Sequence, residues 1–271
     1  MNRKIGYLKK CFCLNYLCLI DGIILLRLFG RFSMKRNFIN LFNIAFLILQ
    51  IAGDVIYMVV GNPYVWKVFA SLTFFLGGVV NLVYVLTNKE DCGENKNYKY
   101  FMLVGLFFAM LGDIVLIDYF AIGAVLFAIG HIWFFIAYCT LYKVNAKDII
   151  CSLIIFVLAL IVELCLPIFD YNGMLALVIV YAFIISFMLG KAISNIVFNG
   201  KNFTNLIIVA GSVLFFLSDL MLLFDVFGNV GIWADRLCLI FYYPAEFLLA
   251  ISIYYASKTK VKADDFGDLN K

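Results

Sequence analysis

The chain has 271 residues, 65% of them apolar and 14% charged, with a mean hydropathy of +1.03 and a formal charge of +4. Water-soluble domains run nearer roughly a quarter charged and about half apolar, so a soluble enzyme, a nucleic-acid binder and a disordered chain are all disfavoured. Three prolines, 29 Phe and 16 Tyr fit a bundle of apolar helices in a membrane.

Residues 1–37 are basic. Within them 11–30 is apolar, but Asp21 and Arg27 interrupt it and Lys9, Lys10, Arg31, Lys35 and Arg36 flank it on both sides. This pattern predicts an amphipathic helix lying on anionic lipid rather than a crossing. A signal peptide is the rival, but no small-residue cleavage site follows. Eight stretches then reach the ~20 residues that span hydrocarbon: 38–60, 64–87, 99–118, 120–142, 148–167, 171–198, 203–227 and 233–257. Their separators carry Gly, Asn, Asp, Pro or Lys, and 258–271 reads as a polar tail. Span length and the lack of two-residue alternation exclude a barrel. The expected fold is an all-α polytopic bundle of eight transmembrane helices behind an N-terminal interfacial helix.

Charge gives the orientation. Of the 21 Lys and Arg, all but Lys67 and Arg236 belong to one side under this count. Basic residues gather on the cytoplasmic face, so both termini are expected there, with anionic membrane lipid rather than nucleic acid as the partner of the basic segments. The eight cysteines suggest packing: Cys139, Cys151, Cys165 and Cys238 fall within spans. The Cys11/Cys13 pair has a single histidine in the whole chain to complete a zinc site, so no metal is expected.

Ionisable residues at membrane depth are costly and mark sites by default. The spans hold Asp54, Asp113, Glu163, Asp219 and Glu246, with His131 at mid-span. Gly105 to Asp113 (GLFFAMLGD) parallels Gly211 to Asp219 (GSVLFFLSD) at an offset of 106 residues, and Gly53-Asp54 adds a third such dipeptide. Each Asp falls about 21–24 Å along its helix from the inner end at 1.5 Å per residue, which puts three carboxyl groups at one level in the outer half. Gly105, Ala109 and Gly112 form a stripe on which a neighbouring helix can approach. A four-plus-four repeat would bring Asp113 and Asp219 to one cleft. Depth along the helices, differing by about 6 Å, puts His131 within direct or water-mediated reach of Asp113, with a structural histidine donating to a backbone carbonyl as the equal alternative. No intramembrane Lys or Arg is an evident partner for either aspartate, Glu163 is read as packing near a span end, and Lys191 as reaching the interface along its stem.

These residues resemble the YhhN-like lysoplasmalogenase family over most of 60–256. The likeness lies in GLFFAMLGDIVLI (105–117), FAIGHIWF (127–134), GSVLFFLSDLML (211–222) and YYPAEFLL (242–249), in the family's order. Three departures stand out. Glu246 replaces the usual Gln after the last-span tyrosines, Val68 replaces a Pro after Lys67, and Phe134 replaces a Tyr. The resemblance implies hydrolysis of the vinyl-ether bond of a lysophospholipid substrate to a fatty aldehyde and glycerophosphoethanolamine or glycerophosphocholine, with no cofactor, in the bacterial inner membrane. That chemistry needs one protonated acid and one carboxylate to activate water, roles that fall to Asp113 and Asp219 in either order, with Lys67, Asp54, His131, Tyr243 and Glu246 around the substrate and Lys67 on its phosphate.

Two other functions compete. GxGD proteases resemble the Gly112-Asp113 motif, but the first glycine and the partner Tyr-Asp motif are missing. A proton- or ion-coupled transporter would use the same carboxylates. Against it, no span is read as broken in its middle, Gly77-Gly78 being the nearest candidate.

Overall fold

The computed structural model describes residues 36–60, 63–88, 97–228 and 230–258. Within them the chain is all-helical: α1 (Arg36–Val60), α2 (Pro63–Thr87), α3 (Tyr98–Val115), α4 (Phe120–Leu141), α5 (Ala146–Cys165), α6 (Leu175–Phe198), α7 (Phe203–Gly228) and α8 (Ile232–Lys258). All eight are long and apolar enough to cross a bilayer, and the chain is an integral multi-pass membrane protein. The predicted surface helix at 11–30 and the tail beyond Lys258 lie outside the described residues.

Span ends differ from expectation where local chemistry overrides hydropathy. Helix α3 stops at Val115 instead of 118, and residues 116–118 form a turn. Helix α5 starts two residues early because the Asn145 side chain accepts from the N–H of Lys147 and Asp148, while the Asp148 side chain accepts from the Asn145 N–H. That reciprocal pair satisfies donors a helix start otherwise leaves open. Helix α6 starts at Leu175 rather than 171, since Asn172 and Gly173 both take positive φ (47° and 83°) and cannot continue a helix.

Consecutive helices pair as α1–α2, α3–α4, α5–α6 and α7–α8. The last helix, α8, also packs on α1, α2 and α3, while α6 joins α4 to α7 and α5 rests on α6. The outer side of α5 exposes Ile150, Leu153, Ile154, Val157, Leu158 and Ile161, as a lipid-facing surface does. At the α3–α4 seam the small-residue stripe makes close contact. A Cβ on Gly105 would strike the Phe134 ring, one on Gly112 the Phe127 ring, and one on Gly130 would sit 3.1 Å from the Gly105 carbonyl. Absent side chains let the backbones meet, and this fixes the rotation of α4 that turns His131 inward.

Pro244, which sequence reading passes over in favour of Gly77-Gly78 as the nearest mid-span break, lies inside α8, and the helix runs on through it from Ile232 to Lys258. Its ring nitrogen has no proton for the carbonyl of Ile240. Beside this proline, the Gln50 side-chain amide of α1 donates to the Tyr243 carbonyl at 2.7 Å.

Candidate functional site

Eight successive crossings place the start of α1 and the end of α8 on one face, called the terminal face below. Asp54, Asp113, Glu163 and Asp219 all lie in the half of the bundle away from it.

Asp113 is buried on α3 and held from two other helices. Lys67 of α2 lies 3.1 Å from its Oδ1, while Ser71, one turn further along α2, and Tyr243 of α8 donate to Oδ2, the latter at 3.3 Å. Ser71 also bonds back to the Lys67 carbonyl at 2.7 Å. Lys67 is thus the cationic partner that the sequence did not reveal. Its side chain is 12% exposed and points at Asp113.

Asp219 on α7 forms a second cluster. Its Oδ2 accepts from the Tyr181 hydroxyl of α6 at 2.7 Å and lies 3.2 Å from Nε2 of His131 on α4, which is itself 2.9 Å from the Tyr181 hydroxyl. His131 is fully buried, its ring 4.5 Å from that of Phe215. The histidine therefore meets Asp219, not Asp113. Depth along the helices allowed either contact; the pairing of α4 with α6 decided it by bringing Tyr181 and α7 to the histidine side.

Asp113 and Asp219 share no hydrogen bond. Tyr242, Cys238 and Glu246 are each within electrostatic reach of both acids. Glu246 is fully buried and neither carboxyl oxygen has a partner; the Tyr242 hydroxyl, His131 Nδ1 and Asp54 Oδ1 are also unpartnered. Asp54, on α1, faces the Asp113 cluster, within electrostatic reach of Asp113 and Tyr243. All seven residues singled out in the sequence thus gather around these two clusters. Ser71, Tyr181, Tyr242 and Cys238 were missed. Ser71 had a readable signal in its four-residue spacing from Lys67, whereas Tyr181 is one tyrosine among 16.

A cavity of about 80 Å³ opens between α4, α5, α6 and α7. By the measure of ~10–15 Å³ per water this is room for several. Its wall is apolar apart from Asp219, Tyr181 and Glu163, and no Lys or Arg lines it. Both hydrogen bonds to Asp219 fall on Oδ2, which leaves Oδ1 without a donor among the described residues. Among the described residues no group of three His, Cys, Asp or Glu side chains could hold a metal ion.

The sequence profile of the YhhN family matches residues 64–253, from the start of α2 almost to the end of α8. The chain belongs to the YhhN family. The matched stretch contains both aspartate clusters and the whole cavity wall, while Gln50 and Asp54 on α1 lie outside it. Neither the curated proteins nor the solved structures give a match to this YhhN chain.

At the terminal face a different acid is fully occupied. Asp148 accepts from Lys191 at 2.6 Å, from the Asn145 N–H at 2.8 Å and from Ser194, while Lys191 also donates to the Lys143 carbonyl at 3.1 Å. Lys191 is fully buried, and this corrects the reading that its stem carries the charge to the interface. Asp148 claims it instead.

Proposed function

We propose that this YhhN protein is an intramembrane lysoplasmalogenase, which cleaves the vinyl-ether bond of a lysoplasmalogen to a fatty aldehyde and a glycerophospho-alcohol. The observation that carries the reading is Asp219. It is a carboxyl group in the wall of an apolar cavity, with one oxygen held by Tyr181 and His131 and the other unclaimed. A second aspartate, Asp113, shares with Asp219 the electrostatic reach of Tyr242 and Glu246.

The chemistry needs one proton delivered to carbon and one taken from water. Asp219 Oδ1 gives its proton to the vinyl carbon remote from oxygen, and the π electrons of the double bond form the new C–H bond. The cation left behind is shared between the other vinyl carbon and the ether oxygen. Water adds to that carbon and gives a proton to the carboxylate side of the pair, a role that suits Asp113, already an acceptor from Lys67, Ser71 and Tyr243. The hemiacetal then breaks its bond to the glycerol oxygen, which leaves as the alcohol with the proton held by Asp113, while the hemiacetal hydroxyl gives its proton back to Asp219 and becomes the aldehyde carbonyl. Tyr181 and His131 fix the orientation of Asp219. Lys67 serves through Asp113, and a phosphate would have to compete with that carboxylate for it. The terminal face is assigned to the cytoplasm from the basic residues, and the inner membrane of a bacterium is the proposed location.

Incubating the purified protein with a lysoplasmalogen and its acyl-linked counterpart tests the reading. Free aldehyde from the vinyl-ether lipid alone supports it; aldehyde from neither rejects it. Pro244 favours a second reading, a proton-coupled transporter, because a proline in mid-helix beside buried acids is a form that ion-coupling sites take. Substrate uptake by proteoliposomes without aldehyde formation would select that one.

A further inference from the structure

The cavity reaches Asp219 but not Asp113. Among the described residues its wall contains none from α1, α2 or α8, whereas Asp113 is held from α2 and α8. The reaction proposed above consumes a water beside Asp113, and that water needs a way in.

Helix α1 carries a polar stripe on that side. Asn43, Gln50, Asp54 and Tyr57 follow one another at intervals of seven, four and three residues and so share one face, while Ile44, Ile48, Ile51, Val55 and Val59 are exposed on another. Gln50 turns the stripe toward α8 through its bond to the Tyr243 carbonyl, and the Tyr243 hydroxyl donates to Asp113. Partnering thins along the stripe. Nearest the terminal face, Asn43 and Asn81 exchange two amide hydrogen bonds, at 3.2 and 2.8 Å. Gln50 is 1% exposed and its Oε1 has no partner; Asp54, one turn further, is 8% exposed and its Oδ1 has none either. Buried polar atoms of this kind are the ones that ordered water satisfies.

The row continues to the surface away from the terminal face. Tyr57 lies three residues before the end of α1 and Asp235 three after the start of α8, both partly buried. Each is thus about 4–5 Å inside its helix end, and Asp54 about 9 Å. Asp54 is within electrostatic reach of Asp235 and Asp113, and Tyr57 of both, of Asp225 and of Lys67. Lys67, the cation in this row, is claimed by Asp113.

We propose that the water for hydrolysis reaches Asp113 from the face away from the termini, between α1, α2 and α8, past Asp235, Tyr57 and Asp54. Lipid and water then approach the two aspartates from different sides, and the apolar cavity stays closed to bulk water. Gln50 and Asp54 are positioning residues, which hydrogen-bond the water on its way and take no proton from it. The route rests on the lysoplasmalogenase reading only for what the water does.

Thiol labelling in nanodiscs tests the route, with methanethiosulfonates of opposite charge and intact mass read against the wild-type background. D54C and V55C place thiols at nearly equal depth, one on the stripe and one facing lipid. D54C should react with the trimethylammonium reagent about tenfold faster than V55C does, and about tenfold faster than with the sulfonate, because Asp225 and Asp235 concentrate cations at the entrance. A D54C thiol no faster than V55C overturns the proposal, and so does the absence of a preference for the cation. Turnover tests Asp54 itself. D54L, which lines the route with an apolar side chain, should lower kcat about tenfold with KM within about twofold, while the isosteric D54N keeps most of the rate. A D54N as slow as D54L would make the charge part of the chemistry and overturn the positioning role. Labelling of D54C with no aldehyde from wild type leaves the water route standing and removes the catalytic reading; aldehyde release with D54C unlabelled does the reverse.

Discussion

At the terminal face Asp148 and Lys191 are buried with every charged atom claimed: by each other, by Ser194, by the cap of α5 and by the Lys143 carbonyl. In the other half of the bundle Asp113 is buried and Asp219 partly so, and both are bonded, yet around them Asp54, His131, Tyr242, Glu246 and Glu163 each keep at least one polar atom with no partner among the described residues. The two regions use the same residue types at similar burial. Completeness separates them. A saturated cluster fixes two helices against each other and has nothing left to offer a ligand. An unsaturated one carries a desolvation cost that folding alone does not repay, and such groups call for an explanation in binding or chemistry. Sequence reading sends Lys191 to the interface and passes over Asp148, so the saturated cluster emerges only from the partners its charges find in the fold.

The contrast can be broken by substitution. The largest effect on turnover is expected from D219N and D113N, each of which should lower aldehyde release by about 10²-fold or more, as removal of an acid or base does. Circular dichroism and gel filtration should show folded protein. Near-normal turnover in either variant would remove that aspartate from the reaction.

At the saturated cluster the effects should invert. K191M leaves Asp148 buried without its cation and should cost about 3–5 kcal/mol of stability, read as earlier thermal unfolding in detergent. Aldehyde released per folded molecule should stay within about twofold, since the two clusters share no partner. A loss of turnover at unchanged stability would erase the distinction drawn here.

E246Q should have the smallest effect. Neither oxygen of Glu246 takes part in a hydrogen bond, and the amide has the same shape, so stability should change by no more than about 1 kcal/mol. Turnover measured on the vinyl-ether lipid should fall less than in either aspartate variant. A fall as deep as theirs would make Glu246 a third participant and recast the site as a carboxyl triad.

Hydropathy alone located all eight helices, because the cost of exposing backbone and charge to hydrocarbon leaves few ways to arrange so apolar a chain. Intramembrane charge likewise picked out Asp54, Asp113, His131, Asp219 and Glu246, which packing does bring together. What one dimension could not supply was pairing. Lys67 stands 46 positions before Asp113 in the chain and meets it only because α2 packs on α3. His131 had two aspartates within range, and the contact of α4 with α6 chose Asp219. Glu163 passed for packing near a helix end until the fold put it in the wall of Asp219's cavity. Insertion into a bilayer is a property of each segment by itself, whereas hydrogen bonds between helices depend on how those segments are rotated and which neighbours they touch.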